Sequence, residues 1–187
     1  MHPKVVVMVA SAGGIQALLR VLSHLPATFA APIVVVQHRT PDPKSLLTRV
    51  LSRCTPLRVV DAKEKDVLQP GTVYVARPDR HLTITGEQQV RYSNGHRIRH
   101  VLSSANPLFT SAAETFGPGT IGVVLTGTDG DGTDGVQAIK NSGGIVIAQD
   151  ERTSEHFGMP QSAITTGAVD YVLPVDEIAP ILQRLTR

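Results

Sequence analysis

Apolar runs rich in β-branched residues recur along the chain, at residues 4–10, 32–37, 57–60, 72–76, 120–125, 144–148 and 169–173. Several are apolar at successive rather than alternate positions, the pattern of strands covered on both faces by helices in a parallel sheet. Helix-period segments lie between them. Residues 14–24 put Ile15, Leu18, Leu19 and Leu22 on one stripe, and residues 44–53 do the same with Leu46, Leu47, Val50 and Leu51. Residues 107–116, 133–141, 160–166 and 176–185 read as further helices, with Asp176 as an N-cap and Asn141-Ser-Gly-Gly144 as a stop signal. This alternation predicts an α/β fold, a doubly wound and mostly parallel sheet flanked by helices. One segment departs from it. Residues 71–95 show short strands, turn residues and no helix period, which predicts an antiparallel hairpin insertion at the sheet edge with its tip near Gly86.

No long linker, repeat or low-complexity tract interrupts the 187 residues, so a single domain over 1–187 is expected. The net charge of +2 comes from interspersed acids and bases, without the basic face of a nucleic-acid binder, and with no Trp there is little to stack on bases. The first apolar run is too short to span a membrane. Cys54 is the only cysteine, so no intramolecular disulfide forms, as suits a reducing cytosol. These features point to a cytoplasmic protein that neither inserts in membranes nor binds nucleic acid. No metal site is read from the seven scattered histidines.

In open α/β sheets ligands bind outside the carboxyl ends of the strands. The first run ends in Ser11 and the second in Gln37-His38, and the run at 120–125 opens into Thr126, Thr128, Asp129, Asp131 and Asp134. Serine, histidine and aspartate on one rim are the set that nucleophilic acyl transfer requires. After Ser11, the N–H groups of Ala12, Gly13 and Gly14 open a helix, and donors of that kind can hold an oxyanion. Each residue also has a structural reading: a serine before a helix caps it, a histidine packs, and aspartates among glycines form turns. The spacing alone leaves Asp129, Asp131 and Asp134 equivalent.

Other phosphate, nucleotide and ion motifs fail. No G-x-x-x-x-G-K-[ST] follows the first strand, and no acid ends the second strand to hold a ribose. Val9 stands where the nucleophile elbow G-x-S-x-G needs glycine. "TGTDGDGTDG" read as a calcium loop from Asp129 puts Asp134 where glycine is needed and Lys140 where glutamate is needed.

The ordered motifs "ASAGG", "VVVQH", "PGTVYVA" with "DRHL", "GVVLTGTDGDGTDG" and "AQDERTSEHFGMPQSA" with "GAVDYVLP" are distinctive together. Over about residues 4–185 the chain resembles the catalytic domain of the chemotaxis protein-glutamate methylesterase (CheB) family. The resemblance implies Ser11 as nucleophile, His38 as general base and Asp131 as its partner. Ala12, Gly13, Thr128 and Met159 are then oxyanion or site-lining residues. It implies hydrolysis of γ-glutamyl methyl esters on cytoplasmic helices of a methyl-accepting chemotaxis receptor, some glutamine deamidation, and no metal or organic cofactor. No phospho-receiver domain of the kind family members carry is found in the chain, so an open site is expected. Val9, Ala12, Thr128, Ser103, Asn106, Glu155 and His156 depart from the family pattern, with His156 expected as an exposed loop residue. These departures leave two alternatives: a signalling scaffold without catalysis, or an esterase or amidase with another substrate.

Overall fold

The computed structural model describes residues 3–39, 46–93 and 103–187. Seven strands form one sheet in which every pairing is parallel: β1 (Val5–Ala10), β2 (Ile33–Gln37), β3 (Arg58–Asp61), β4 (Thr72–Val75), β7 (Thr120–Val124), β8 (Ile145–Gln149) and β9 (Tyr171–Leu173). Their order across the sheet is β3-β4-β2-β1-β7-β8-β9. Each coincides with one of the seven apolar runs.

Central β1 explains why those runs do not alternate. Val5, Val7 and Val9 belong to a core shared with α3 (Ala105–Phe116), α4 (Thr133–Asn141) and α5 (Gly158–Thr165). Val6, Met8 and Ala10 face the opposite core, built with α1 (Gly14–Ser23), α2 (Leu46–Ser52) and α6 (Val175–Thr186). Both faces are dry, so both sets of alternate positions must be apolar.

The hairpin differs from its expected place. Residues 72–75 belong to the parallel sheet, and the antiparallel strand pair among the described residues is β5 (His81–Ile84) with β6 (Val90–Ser93). It forms a sheet of its own and docks on α3, where Ile84 N–H donates to Ser111 Oγ at 2.9 Å. Its turn, closed by Gln88 N–H on Thr85 O, lies at the expected tip.

Helix boundaries shift for local reasons. α3 begins two residues before the expected Pro107, because Ser104 accepts the Asn106 N–H as a cap. α6 is capped at Pro174, which leaves Asp176 in the first turn rather than at the N-cap. The stripes are narrower than expected: Ile15, Leu46 and Val50 are exposed, while Ala17, Leu18, Val21, Leu22, Leu47 and Leu51 are buried. Residues 44–45 and 94–95 of the expected helix and hairpin lie outside the described residues.

Close α3–α4 packing depends on Gly135. A methyl group there would overlap Phe109 Cβ and stand 3.3 Å from Asn106 Cα. Alanine normally favours a helix by about 1 kcal/mol over glycine, but overpacking costs about 1–3 kcal/mol. Gly135→Ala is therefore expected to destabilise by about 1–2 kcal/mol, read as a lower urea midpoint at unchanged slope.

Candidate active site

Connections from β1 run toward β2 on one side, and β7 joins β1 on the other, so the reversal point lies at the end of β1. Register brings the predicted residues there. Ala10 pairs with Gln37 and Val9 with Val124, so the residues just beyond, Ser11, His38 and the loop from Thr126, leave the sheet side by side. His38 N–H donates to Ala10 O at 2.9 Å and Ser11 N–H to Thr126 O at 3.0 Å, which extends the ladder into the site. Buried Gln37 braces the turn by donating to Ser11 O and His38 O.

Ser11 does not cap the helix. The N-cap of α1 is Gly13, at φ 74° and with no side-chain cap, so the Ser11 hydroxyl is not committed to the helix. The positive φ suits glycine. Of the three amides expected to be open, Gly14 N–H is taken by Ser11 O at 2.8 Å. The expectation is thus corrected to two: among the described residues Ala12 N–H and Gly13 N–H have no acceptor.

His38 and Asp131 meet directly. Nε2 donates to Asp131 Oδ2 at 2.8 Å, and the Asp131 side chain has no exposed surface. The same carboxylate takes Ala105 N–H at 2.6 Å on Oδ2 and the Ser104 hydroxyl on Oδ1. It sits at the N-terminus of α3, where the helix dipole favours a negative charge. His81 on β5 accepts Ser104 N–H at Nδ1, 3.1 Å away, so the hairpin braces the residue that holds the acid. Ser104, Ala105 and His81 were not singled out in the sequence. A serine preceding "ANPLF" is a cap signal that an earlier helix start would have revealed.

Asp129 supplies a second carboxylate. Oδ1 accepts Asp131 N–H at 3.0 Å, closing an Asx turn, and Oδ2 lies 3.4 Å from His38 Nδ1. That distance is an ion pair without hydrogen-bond alignment, and Nδ1 has no hydrogen-bond partner among the described residues. No hydrogen bond joins the Ser11 hydroxyl to His38 among the described residues; the two are adjacent through the strand register. Asp134 is placed elsewhere, accepting from Asn106 Nδ2 at 3.3 Å and helping tie α3 to α4.

The lining residues divide. Met159 is buried behind the serine turn. A methyl group on Gly127 would meet both its sulfur and, at 2.8 Å, Ser11 Cβ. Thr128 is exposed on the loop toward Asp131. Thr126 Oγ1 ties the rims together, donating toward Ala12 O and His156 O and accepting His156 N–H. The His156 side chain is 44% exposed, as expected of a loop residue. Among the described residues no group of three or more His, Cys, Asp or Glu could hold a metal, and no helix is long and apolar enough to cross a membrane.

Burial pulls the basicity of His38 down, but its close polar contacts with Asp129 and Asp131, and their charges, outweigh it and raise its pKa from 6.5 to about 9. The stability this contributes is fully present below about pH 6.5 and is lost as pH rises through about 9. Asp129→Asn keeps an oxygen for the Asp131 amide and removes the charge. The His38 ring is expected to titrate near 9 by NMR in the parent and at lower pH in Asp129→Asn. An unchanged midpoint would show that Asp129 does not act on the imidazole.

A family model described as CheB methylesterase matches residues 6–182. The protein-glutamate methylesterase/protein-glutamine glutaminase 2 of Anaeromyxobacter dehalogenans is 46% identical over 98% of this chain and 54% of its own length. Its counterpart from Pyrococcus horikoshii is 41% identical over 92% and 48%, so the chain spans about half the length of these relatives. A putative enzyme of the same name from Leptospira interrogans is 38% identical over 99% of this chain and 96% of its own. The crystal structure of the Thermotoga maritima CheB methylesterase catalytic domain superposes with a TM-score of 0.95 at 38% identity, covering 99% of this chain and all of that one. The strand ends, the buried acid and these matches over nearly the whole chain lead to one conclusion: the chain belongs to the CheB methylesterase family.

Proposed function

We propose that this chain is a serine hydrolase that cleaves γ-glutamyl methyl esters on a protein, with Ser11 as nucleophile, His38 as general base and Asp131 as the partner of the imidazole. The bond from His38 Nε2 to buried Asp131, on the strand end beside Ser11, carries this reading. It keeps the proton of the neutral ring on Nε2 and leaves the Nδ1 lone pair for the serine proton.

Ser11 Oγ attacks the ester carbonyl while Nδ1 takes its proton. The carbonyl oxygen becomes an oxyanion between the Ala12 and Gly13 amides, each of which can contribute about 3 kcal/mol as a charge-directed donor. Collapse breaks the bond to the methoxy group, which leaves as methanol with the proton from His38. Water then attacks the glutamyl-serine ester and gives a proton to His38; collapse breaks the bond to Ser11 Oγ, which takes that proton from His38, and the glutamic acid product ionises to the carboxylate with its proton lost to solvent. An amide substrate follows the same course with ammonia leaving, consistent with the paired names of the relatives. The substrate is a methylated glutamate on a helix of a cytoplasmic receptor domain, and the enzyme works in the cytoplasm.

Ser11→Ala is expected to keep the fold and lose at least about 1000-fold in methanol release from methylated receptor, together with labelling by a fluorophosphonate probe. Turnover unchanged by the substitution would overturn the mechanism. A parent protein that neither labels nor turns over would favour a scaffold. Because the base is competent only when deprotonated, kcat/KM is expected to rise with pH along a limb near 9, displaced to lower pH in Asp129→Asn.

A further inference from the structure

The loop facing the serine turn carries a carboxylate where the reaction develops negative charge. A methyl group on Gly13 would lie 2.7 Å from Glu155 Cβ and 2.8 Å from Glu155 Oε2. The acidic side chain therefore rests across the residue whose amide is one of the two open donors beside Ser11. Its position is set by the backbone: the next residue, His156, is held on both N–H and C=O by Thr126 Oγ1, which also donates to Ala12 O. Glu155 is nonetheless 65% exposed, so its charge reaches solvent and an arriving partner.

An uncompensated carboxylate here opposes an oxyanion on the Gly13 amide. The residues around it leave room for a cation. The His156 ring faces the other oxygen, with Nε2 3.6 Å from Oε1, and Oε2 points to Gly13. Gly13, Gln16, Arg20, Thr126, Gln149 and Glu155 line a pocket beside the turn. Arg20 on that wall is paired with Asp176, through Nε and one terminal nitrogen, Nη2. Gln149 is committed to the Thr126 amide and to Thr153.

We propose that Glu155 is a specificity-determining residue that selects substrate helices bearing a lysine or arginine about one turn from the reacting glutamyl ester. The cation sits against Glu155 Oε2, draws the segment to the site, and cancels the field that would weaken the oxyanion donors. This rests on the methylesterase reading above.

The test measures methanol release from two helical peptides, each with one γ-glutamyl methyl ester and either Lys or Glu four residues away. The parent is expected to favour the Lys peptide about threefold or more in kcat/KM at low salt, with the preference shrinking as salt is added. Glu155→Gln is expected to bring the ratio near one, and Glu155→Lys to invert it. A parent ratio of one, or a ratio unchanged in Glu155→Gln, overturns the role of Glu155 and leaves the methylesterase reading standing. No methanol from either peptide with the parent, under conditions where Ser11 labels, overturns both.

Discussion

The site depends on burying one carboxylate. An ion removed from water costs several kcal/mol unless charges and donors replace its hydration. Asp131, with no exposed side-chain surface, is met by His38 Nε2, the Ser104 hydroxyl and the Ala105 amide. These donors come from two places far apart in the chain, the end of β2 and the start of α3. Displacing either would leave a buried charge short of partners, so the acid fixes how α3 meets the sheet. Ser104 concentrates this constraint: one oxygen donates to Asp131, accepts the Asn106 N–H and so starts the helix. The helix that covers one face of the sheet begins where the histidine's partner needs it.

The rest of the rim follows from strand register. Parallel pairing of β1 with β2 and β7 sets Ser11 between His38 and the Asp131 loop before any side chain is considered. Thr126 then ties that loop, the serine turn and the 155–156 segment through a single hydroxyl. The polar atoms of the site are thus held by backbone groups at strand ends, the most rigid part of such a fold.

Strand positions and their two-sided burial are legible because they follow from the apolar pattern. A strand such as Val5–Ala10, apolar at all six positions, has to be covered on both faces. Ser11 and His38 are legible for the same reason, as polar residues at the carboxyl ends of such runs. The choice of Asp131 over Asp129 and Asp134 is not, since all three lie in one glycine-rich stretch of sequence and differ in the partners that the fold brings near. Ser104 and His81 were hidden because a serine cap and a strand histidine become site residues only after the hairpin docks on α3. The docking of the hairpin on α3 is not legible, because alternation reports which face of a strand is buried, not what buries it. The exposure of Ile15, Leu46 and Val50 is not legible either, because periodicity cannot say where a helix face leaves its neighbour.

Two carboxylates on one imidazole divide the work. Asp131 is buried, aligned and bonded, so it sets the orientation of the ring. Asp129 is more than a third exposed and lies at ion-pair distance from Nδ1, so it contributes charge with less geometric demand. That charge favours the protonated ring and makes His38 a stronger base once deprotonated, at the expense of the fraction deprotonated near neutrality. Asp129 is also tied to its neighbour through the Asx turn on the Asp131 amide. The residue that adds charge beside the imidazole therefore also sets the backbone of the residue that orients it. Any change that repositions Asp129 moves Asp131, whereas a change that removes only its charge leaves the turn intact. The two acids are separable in electrostatics but not in backbone geometry, which is why the spacing D-G-D, rather than either aspartate alone, is the unit that this loop presents to His38.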